Sequence, residues 1–263
     1  GIIVSAREFF GLASSKTLCY STFYFTLLSS SMDRNLALEF VRVTEAAAIA
    51  AAKWIGRGDG KAADQAAVDE MRDRFNYVDF HGTVVIGEGA IDEAPELYVG
   101  EELGTKQGVA LDIAVDPLEC TDSVANGRPN AIAVIATGAK GSLFQAPDMY
   151  MQKLACGPQA KGVIDLDLSA HENIIRVAKA LDKDVGEIVV MVLDRPRHDS
   201  LIREIRAAGA RVRLISDGDV AGAIAPSLPD SGVDLLMGMG KTAEAVLASV
   251  AIKCIGGGLQ ARL

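Results

Sequence analysis

The sequence has few cysteines and histidines, and this scarcity limits the kinds of metal site that it can build. Four cysteines are scattered along 263 residues without a C-x-x-C spacing, and three histidines are present. Zinc sites and disulfide frameworks require closely spaced ligands or paired cysteines. The sequence therefore argues against both, and its cysteine usage is typical of a reducing compartment such as the cytoplasm.

The chain also lacks a net positive charge and long apolar runs. The formal net charge is -9, so the chain has no broad basic field with which to bind nucleic acid. No uninterrupted apolar run reaches the roughly 18 residues that a membrane span requires. We therefore expect neither nucleic acid nor a membrane as a partner, and an anionic substrate would have to be met by a local cluster of cations or by metal ions.

Residues 1–31 differ in composition from the rest of the chain. They are rich in Ser, Thr and aromatic residues, and Glu8 is their single acidic residue. We expect this segment to be an extension outside the folded core. It is either the remnant of an organelle transit peptide, which would indicate a chloroplast, or upstream sequence read as coding. The weak basic charge, Arg7 and Lys16, favours the second origin.

From Met32 onward the hydrophobic pattern alternates between helices and strands. A long helix begins there with Asp33 as its N-cap and ends at Gly56, and a second helix follows Asp64, which could cap it. Apolar runs predict strands at 82–86 and in "VALDIAV", "NAIAVIA" and "DMYMQKLAC". This alternation predicts an α/β fold.

After about residue 170, helix and strand patterns alternate at short loop lengths, which predicts a second layered unit. Three predicted strands end at "DRPRH", "SDGD" and "GMGKTAE". Ligands of such sheets bind beyond the carboxyl ends of the strands. We therefore predict two domains, a metal-binding α+β domain at 32–168 and an open α/β substrate domain at 169–263.

The strongest chemical signal is a pair of acids at the end of the predicted strand "VALDIAV". Pro117 is expected to stop this strand and turn the chain, which would bring Asp116 and Glu119 to the same side. Two crowded carboxylates repel each other unless a cation lies between them, and oxygen ligands without His or Cys favour magnesium or manganese. Either acid could instead cap a helix or remain a solvated loop charge.

A third acid, Glu88, follows another predicted strand and lies between two glycines, where the backbone can approach a ligand closely. Asp92 and Glu93 follow it within a few residues. For these two acids we favour capping or solvation of the next segment over a role as metal ligands.

Several segments, in order from Met32 to near the end of the chain, together resemble the class II fructose-1,6-bisphosphatases: "GRGDGKAAD", "IGEGAIDEAPELYVGEELG", "DIAVDPLECT", "APDMYMQKL", "RPRHD", "SDGD" and "PDSGVDLLMG". That family is one of the metal-dependent, lithium-sensitive sugar and inositol phosphatases. The resemblance implies a layered α/β/α/β/α sandwich, dependence on Mn²⁺ or Mg²⁺, and hydrolysis of the 1-phosphate of fructose 1,6-bisphosphate in gluconeogenesis or the Calvin cycle. Photosynthetic members also cleave sedoheptulose 1,7-bisphosphate. We further expect a homo-oligomer.

The resemblance also implies roles for individual residues. It makes Asp64 and Glu88 ligands of one metal ion, and it also assigns both residues a part in catalysis. It places Asp116, Glu119 and Glu244 around a second ion. Thr121 corresponds to the family's catalytic threonine, which orients or deprotonates the attacking water. Arginines suit the distal phosphate because their planar fork donates two hydrogen bonds, and the Asp-Gly-Asp carboxylates suit sugar hydroxyls. The residues implied to bind substrate are Glu119, Cys120, Thr121, Tyr150, Arg195, Pro196, Arg197, Asp217, Gly218, Asp219 and Lys241.

The chain departs from the family pattern in several places. Cys120 stands where the family has glycine, and "GKTAEA" replaces G-G-x-P-E-G around Glu244, which introduces Lys241. The chain also ends before the family's C-terminal segment, so we expect a truncated second domain with an exposed sheet edge. These departures keep an alternative open, a degenerate phosphatase fold that binds a sugar phosphate or a partner subunit without turnover. A nucleotide-binding P-loop at "GMGKTAE" is disfavoured, because Leu235 occupies the position of its first glycine.

Overall fold

The computed structural model describes residues 2–5 and 31–34 by their backbone, and residues 35–88 and 97–263 with their side chains. Within these residues the chain forms two five-stranded mixed sheets and seven α-helices, which confirms the predicted α/β class. They fall into two compact units, Gly1–Ala146 and Pro147–Leu263. None of the helices among these residues is long and apolar enough to cross a membrane.

The first unit consists, in chain order, of β1 (Ile2–Ser5), α1 (Ser31–Ala52), α2 (Gly60–Phe75), β2 (His81–Ile86), β3 (Glu102–Leu103), β4 (Ala110–Glu119), α3 (Thr121–Ala125) and β5 (Ile132–Ala139). Its sheet has the order β1-β5-β4-β2-β3. The pairs β1–β5 and β2–β4 are parallel, whereas β4–β5 and β2–β3 are antiparallel. α1 and α2 pack against each other and against β4.

Three aromatic rings lie in the core of the first unit. Phe40 on α1, Phe75 at the end of α2 and Phe80 just before β2 are all buried. Their ring centroids are 5.0 to 6.1 Å apart, with edge-on or tilted geometry. Such contacts add to the large apolar area that each ring buries. They join both helices to the strand that leads toward Glu88.

Both helix starts in the first unit differ from the prediction. α1 begins at Ser31, so Asp33 lies inside the helix rather than at its N-cap. α2 begins just after Asp59, because Oδ1 of Asp59 accepts a 3.0 Å hydrogen bond from the N–H of Ala62. Asp64 therefore lies within α2, and the capping role considered for it is wrong.

Strand β4 is longer than predicted, because Pro117 does not end it. The strand continues to Glu119, and its pairing with β5 changes register between Asp116 and Glu119. A β-bulge of this kind tolerates proline, since it leaves a backbone position outside the ladder of hydrogen bonds. The turn expected at Pro117 is therefore replaced by a bulge within the strand.

The second unit consists, in chain order, of β6 (Tyr150–Cys156), α4 (Ala170–Leu181), β7 (Val189–Leu193), α5 (Asp199–Ala207), β8 (Arg211–Ile215), α6 (Asp219–Ile224), β9 (Leu235–Lys241), α7 (Thr242–Cys254) and β10 (Gly258–Arg262). Its sheet has the order β10-β6-β9-β7-β8. β7 is parallel to both β8 and β9, while β6 is antiparallel to β9 and β10. The alternation predicted after residue 170 is thus present.

Two boundaries differ from those predicted. β6 pairs along its length with β9 and β10, so it belongs to the second sheet. The compact units accordingly divide between Ala146 and Pro147, earlier than the predicted position near 168. At the other end, residues 2–5 form β1 and pair with β5, so part of the expected extension joins the first sheet. Asp92 and Glu93, for which capping or solvation was expected, lie outside the described residues.

Candidate active site

Three acids of the first unit lie near the carboxyl ends of two neighbouring strands of its sheet. β2 and β4 are parallel, and Glu88 follows β2 while Asp116 and Glu119 lie near the end of β4. Glycine is required at position 87, just before Glu88, because a Cβ atom there would overlap the carbonyl oxygen of Leu97. The N–H of Glu88 donates a 3.2 Å hydrogen bond to the same carbonyl. This close approach holds Glu88 at the strand end.

The bulge in β4 brings two of these acids to the same face of the sheet. Asp116 pairs with Val134 of β5, and Glu119 pairs with Ile132. Val134 and Ile132 are two residues apart and point to one face, so their partners do as well. In a regular strand, residues 116 and 119 would point to opposite faces. The two carboxylates therefore share a face because of the bulge, rather than because of the expected turn.

A left-handed residue links β4 to α3. Cys120 has φ 76° and ψ 49°, a region that glycine adopts readily and other residues adopt rarely. Its carbonyl accepts hydrogen bonds from the N–H groups of Ser123 and Val124, and α3 begins at the next residue, Thr121. The backbone thus keeps a conformation that suits the family's glycine, although a cysteine is present.

Thr121 lies beside the start of α2. A Cβ atom on Gly60, the first residue of that helix, would be 3.6 Å from Cγ2 of Thr121. The two helix starts are therefore close neighbours, with room for no more than an ordinary van der Waals contact between them. Asp64 follows about one turn later on α2. The structure thus brings the helix that carries Asp64 next to the threonine that the resemblance makes catalytic.

The conformation of Cys120 predicts an unusual order of stability among its variants. Cys120→Gly should be more stable than Cys120→Ala by about 1 kcal/mol, because both remove the thiol but alanine keeps the left-handed strain. At Cys156, in strand β6, the same pair should show the opposite order, because glycine weakens a strand by about 0.5–1 kcal/mol relative to alanine. Urea unfolding of the four variants measures both differences. The same order at both positions would contradict the prediction.

In the second unit, two side chains that follow β7 hold the backbone of β9. The two strands pair at residues 235–236 of β9. Farther along, the N–H of Met239 donates a 2.8 Å hydrogen bond to Nε2 of His198, and its carbonyl accepts from Nε and Nη2 of Arg197 at 3.2 and 2.9 Å. Nδ1 of His198 donates to the carbonyl of Leu193, 2.8 Å away. The buried ring is therefore neutral, with its proton on Nδ1.

Several predicted substrate residues gather around these contacts. The guanidinium carbon of Arg197 lies 5.0 Å from the ring centroid of Tyr150, a cation–π contact. Tyr150 is in turn the register partner of Lys241 on β9. Pro196 begins the short 3-10 turn after β7, and Arg195, just before it, donates a 3.1 Å hydrogen bond to the carbonyl that precedes it. These cationic and aromatic groups form a surface that suits a phosphate group.

The Asp-Gly-Asp segment leads from β8 into α6. Gly218 has φ 99°, and its N–H donates a 3.2 Å hydrogen bond to Oδ1 of Asp217. Asp219 is the first residue of α6 and is buried. Glycine is required at the middle position because other residues rarely adopt this positive φ. The turn thus fixes the positions of both carboxylates that the resemblance assigns to sugar hydroxyls.

A buried lysine that the sequence analysis did not identify pairs with Asp219. Lys153 on β6 is 2% exposed, and its Nζ donates a hydrogen bond to Oδ2 of Asp219. The pair lies over Gly240 of β9, where an added Cβ atom would overlap that carboxylate and lie 2.9 Å from Nζ. The sequence held a signal for this residue, because alternation along β6 places it on the same buried face as Met151 and Ala155.

Glu244, in the first turn of α7, has an environment that suits a cation. Burial raises the pKa of its carboxyl group, while the nearby ammonium of Lys153 lowers it. Its buried Oε2 has no hydrogen-bond partner among the described residues. A bound cation would satisfy this oxygen and favour the ionised carboxylate. The chemistry of this residue therefore fits the divalent metal ion that the resemblance implies.

A complete set of metal ligands is not assembled by the described residues. Within 35–88 and 97–263, no group of three or more His, Cys, Asp or Glu side chains is close enough to hold a metal ion. In the first unit, Asp116 and Glu119 share a face and Glu88 follows the neighbouring strand. The five ligands implied by the resemblance stay a prediction.

Arg197 and His198 also contribute to the wall of a cavity of about 290 Å³ in the second unit. Ser169 and Glu204 line another part of it. Oε1 of Glu204 accepts a 2.9 Å hydrogen bond from the N–H of Ala170, which satisfies the start of α4. Arg197 therefore has open, partly polar space beside it.

Comparison with protein families finds one model that spans most of the chain. The model described as "Bacterial fructose-1,6-bisphosphatase, glpX-encoded" matches residues 34–263. The matched region contains every residue that the sequence analysis assigned to metal, catalysis or substrate. It also contains both compact units apart from the first 33 residues of the chain.

Curated proteins from several bacteria are similar over the same region. "Fructose-1,6-bisphosphatase class 2" of Haemophilus influenzae is 52% identical over 232 residues, which cover 88% of this chain and 70% of that protein. "Fructose-1,6-bisphosphatase 1 class 2" of Escherichia coli K12 is 53% identical, with 88% and 69% covered. "D-fructose 1,6-bisphosphatase class 2/sedoheptulose 1,7-bisphosphatase" of a Synechococcus strain is 48% identical over 244 residues, with 88% and 70% covered.

Proposed function

Because the chain belongs to the class 2 fructose-1,6-bisphosphatase family, we propose that it hydrolyses the 1-phosphate of fructose 1,6-bisphosphate to give fructose 6-phosphate and inorganic phosphate. The observation that carries this proposal is the end of β4. There a bulge places Asp116 and Glu119 on one face, and Thr121 follows two residues after Glu119. Two carboxylates followed by a hydroxyl at a strand end suit phosphate ester hydrolysis.

The family is metal-dependent, and we propose Mn²⁺ or Mg²⁺ as the ion in this chain. The proposed ligands are all carboxylates, which favours a hard divalent cation over zinc or copper. When bound, such an ion neutralises charge on the phosphoryl oxygens and acts as a Lewis acid. The proposed ligands are Asp64, Glu88, Asp116, Glu119 and Glu244.

Thr121 is proposed to orient the water that attacks the phosphorus atom. Its position at the start of α3 is fixed by the turn at Cys120 and by the start of α2 beside it. The oxygen of a hydroxyl group can accept a hydrogen bond from the water while its O–H donates a hydrogen bond to a neighbouring carboxylate. Holding the water in line with the leaving oxygen lowers the entropic cost of reaching the transition state.

We further propose which residues bind the rest of the sugar bisphosphate. Arg195 and Arg197 would bind the distal phosphate through the guanidinium N–H groups that do not donate to backbone carbonyls. The carboxylates of Asp217 and Asp219 would accept hydrogen bonds from sugar hydroxyls. Glu119, Cys120, Tyr150, Pro196, Gly218 and Lys241 complete the proposed contacts with substrate.

The finer points of the proposal concern substrate range and setting. Cleavage of sedoheptulose 1,7-bisphosphate is a proposed second activity, supported by the name of the similar Synechococcus protein. A homo-oligomer and a location in the cytoplasm, or in a chloroplast, are the states expected from the sequence.

The decisive experiment measures phosphate released from fructose 1,6-bisphosphate by the whole chain, with Mn²⁺, with Mg²⁺ and after chelation. We expect one equivalent of phosphate per substrate with a divalent ion and none after chelation. Fructose 6-phosphate, which lacks the 1-phosphate, is the matched substrate control and should release none. Calorimetric binding of fructose 1,6-bisphosphate without phosphate release in either metal would overturn the proposal and support the non-catalytic alternative.

A further inference from the structure

Lys153 is an ionisable group buried inside the second unit. Its side chain is 2% exposed, in the middle of a strand that has neighbours on both sides. Moving an ammonium group out of water is costly, and a buried ion pair often stabilises a fold no more than apolar residues of the same size would. The burial of an ion pair is therefore weak evidence that the pair serves stability. The residues that Lys153 contacts are a better guide to its role.

The partner of Lys153 is a proposed substrate residue. Nζ donates to Oδ2 of Asp219, which is the first residue of α6 and the last member of the Asp-Gly-Asp turn. The hydrogen bond between Lys153 and Asp219 joins β6 to α6 beside Gly240. It therefore fixes the side-chain rotamer of Asp219 and the position of its carboxylate. Any side chain at Gly240 would occupy the space of the pair. The fold thus reserves this space for one lysine–aspartate contact.

We propose that Lys153 is a positioning residue for substrate, which holds the carboxylate of Asp219 where sugar hydroxyls can donate to it. This inference rests on the proposed phosphatase function and assigns a role to a residue that the family resemblance did not include. Lys153 does not touch the reacting phosphate in this assignment. It acts through its contact with the carboxylate of Asp219.

Lys153→Met keeps the length and apolar part of the side chain but removes its charge. We expect KM for fructose 1,6-bisphosphate to rise about tenfold or more, because a charge-assisted contact that fixes a substrate ligand is lost. kcat should change less than KM. Binding of Mn²⁺ to the resting chain, followed by the electron paramagnetic resonance of free Mn²⁺, should stay unchanged, because Lys153 is not among the proposed metal ligands. A purely structural lysine would instead weaken both substrate and metal binding.

Lys183→Met is the matched control. Nζ of Lys183 lies 2.6 Å from Oδ1 of Asp234, a second lysine–aspartate pair of the same unit. Its removal should leave KM and Mn²⁺ binding unchanged even if stability falls. An unchanged KM in Lys153→Met, or a raised KM accompanied by weaker Mn²⁺ binding, would overturn the inference. Failure of the proposed function is distinguishable, since the unaltered chain would then release no phosphate with Mn²⁺.

Discussion

Asp116→Asn is expected to lower metal-dependent phosphate release about 100-fold or more while the chain stays folded. The substitution removes one negative charge from the pair on the bulge of β4. In the unaltered chain, Oδ1 of Asp116 accepts a 3.1 Å hydrogen bond from the N–H of Leu118. Asparagine keeps an oxygen acceptor at this position. The local backbone should therefore be retained. The loss follows because a carboxamide is a poorer ligand for a hard divalent cation than a carboxylate.

Asp122→Asn separates this effect from a general change of charge. Asp122 is exposed, lies on α3 close to the same strand end and has no assigned role in the site. Its loss should leave kcat/KM within about threefold, as is usual for surface charges. Mn²⁺ binding and circular dichroism should be measured for both variants. Full Mn²⁺-dependent turnover in Asp116→Asn would show that this carboxylate is not a metal ligand.

The shared face of Asp116 and Glu119 shows what the sequence could and could not predict about the site. The residue types, three apart after an apolar run, indicated a joint role in binding a cation. The geometric reason was different, because a bulge depends on how β4 aligns with β5, and that pairing is not visible in β4 itself. A proline in an apolar run is as compatible with a bulge as with a strand end.

The start of α2 illustrates a second limit of sequence analysis. The sequence analysis considered Asp64 as the cap of this helix, because it precedes a stretch with helical character. The structure selects Asp59, since the helix includes Gly60 and gains the contact between its first turn and Thr121. Tertiary packing thus decides between two locally similar starts. The consequence for function is that Asp64 is not needed to cap the helix and is placed within it.

The second unit was predicted more completely in its elements than in its contacts. Each helix and strand proposed after residue 170 is present, because strong periodic patterns and short loops define them. The hydrogen bonds of His198 and Arg197 to Met239 join residues about forty positions apart. No local pattern encodes such a contact. Lys153 lies between these cases, since strand alternation marks it as buried but does not identify Asp219 as its partner.

Thr121→Val is expected to reduce kcat about 100-fold or more, with little change in KM, because the hydroxyl that orients the attacking water is lost. Valine has nearly the same shape as threonine, so the approach of this residue to Gly60 and the start of α3 should be preserved. Thr121→Ser is the matched control, since it keeps the hydroxyl and removes the methyl group. It should retain most of the activity.

The dependence of activity on Mn²⁺ concentration should distinguish the role of Asp116 from that of Thr121. Thr121→Val should bind Mn²⁺ as the unaltered chain does, because threonine is not among the proposed ligands, whereas Asp116→Asn should bind it more weakly. Raising the Mn²⁺ concentration should therefore recover part of the activity of Asp116→Asn and none of that of Thr121→Val. If Thr121→Val and Thr121→Ser lose activity equally, the methyl group and its packing, rather than the hydroxyl, would account for the requirement for threonine.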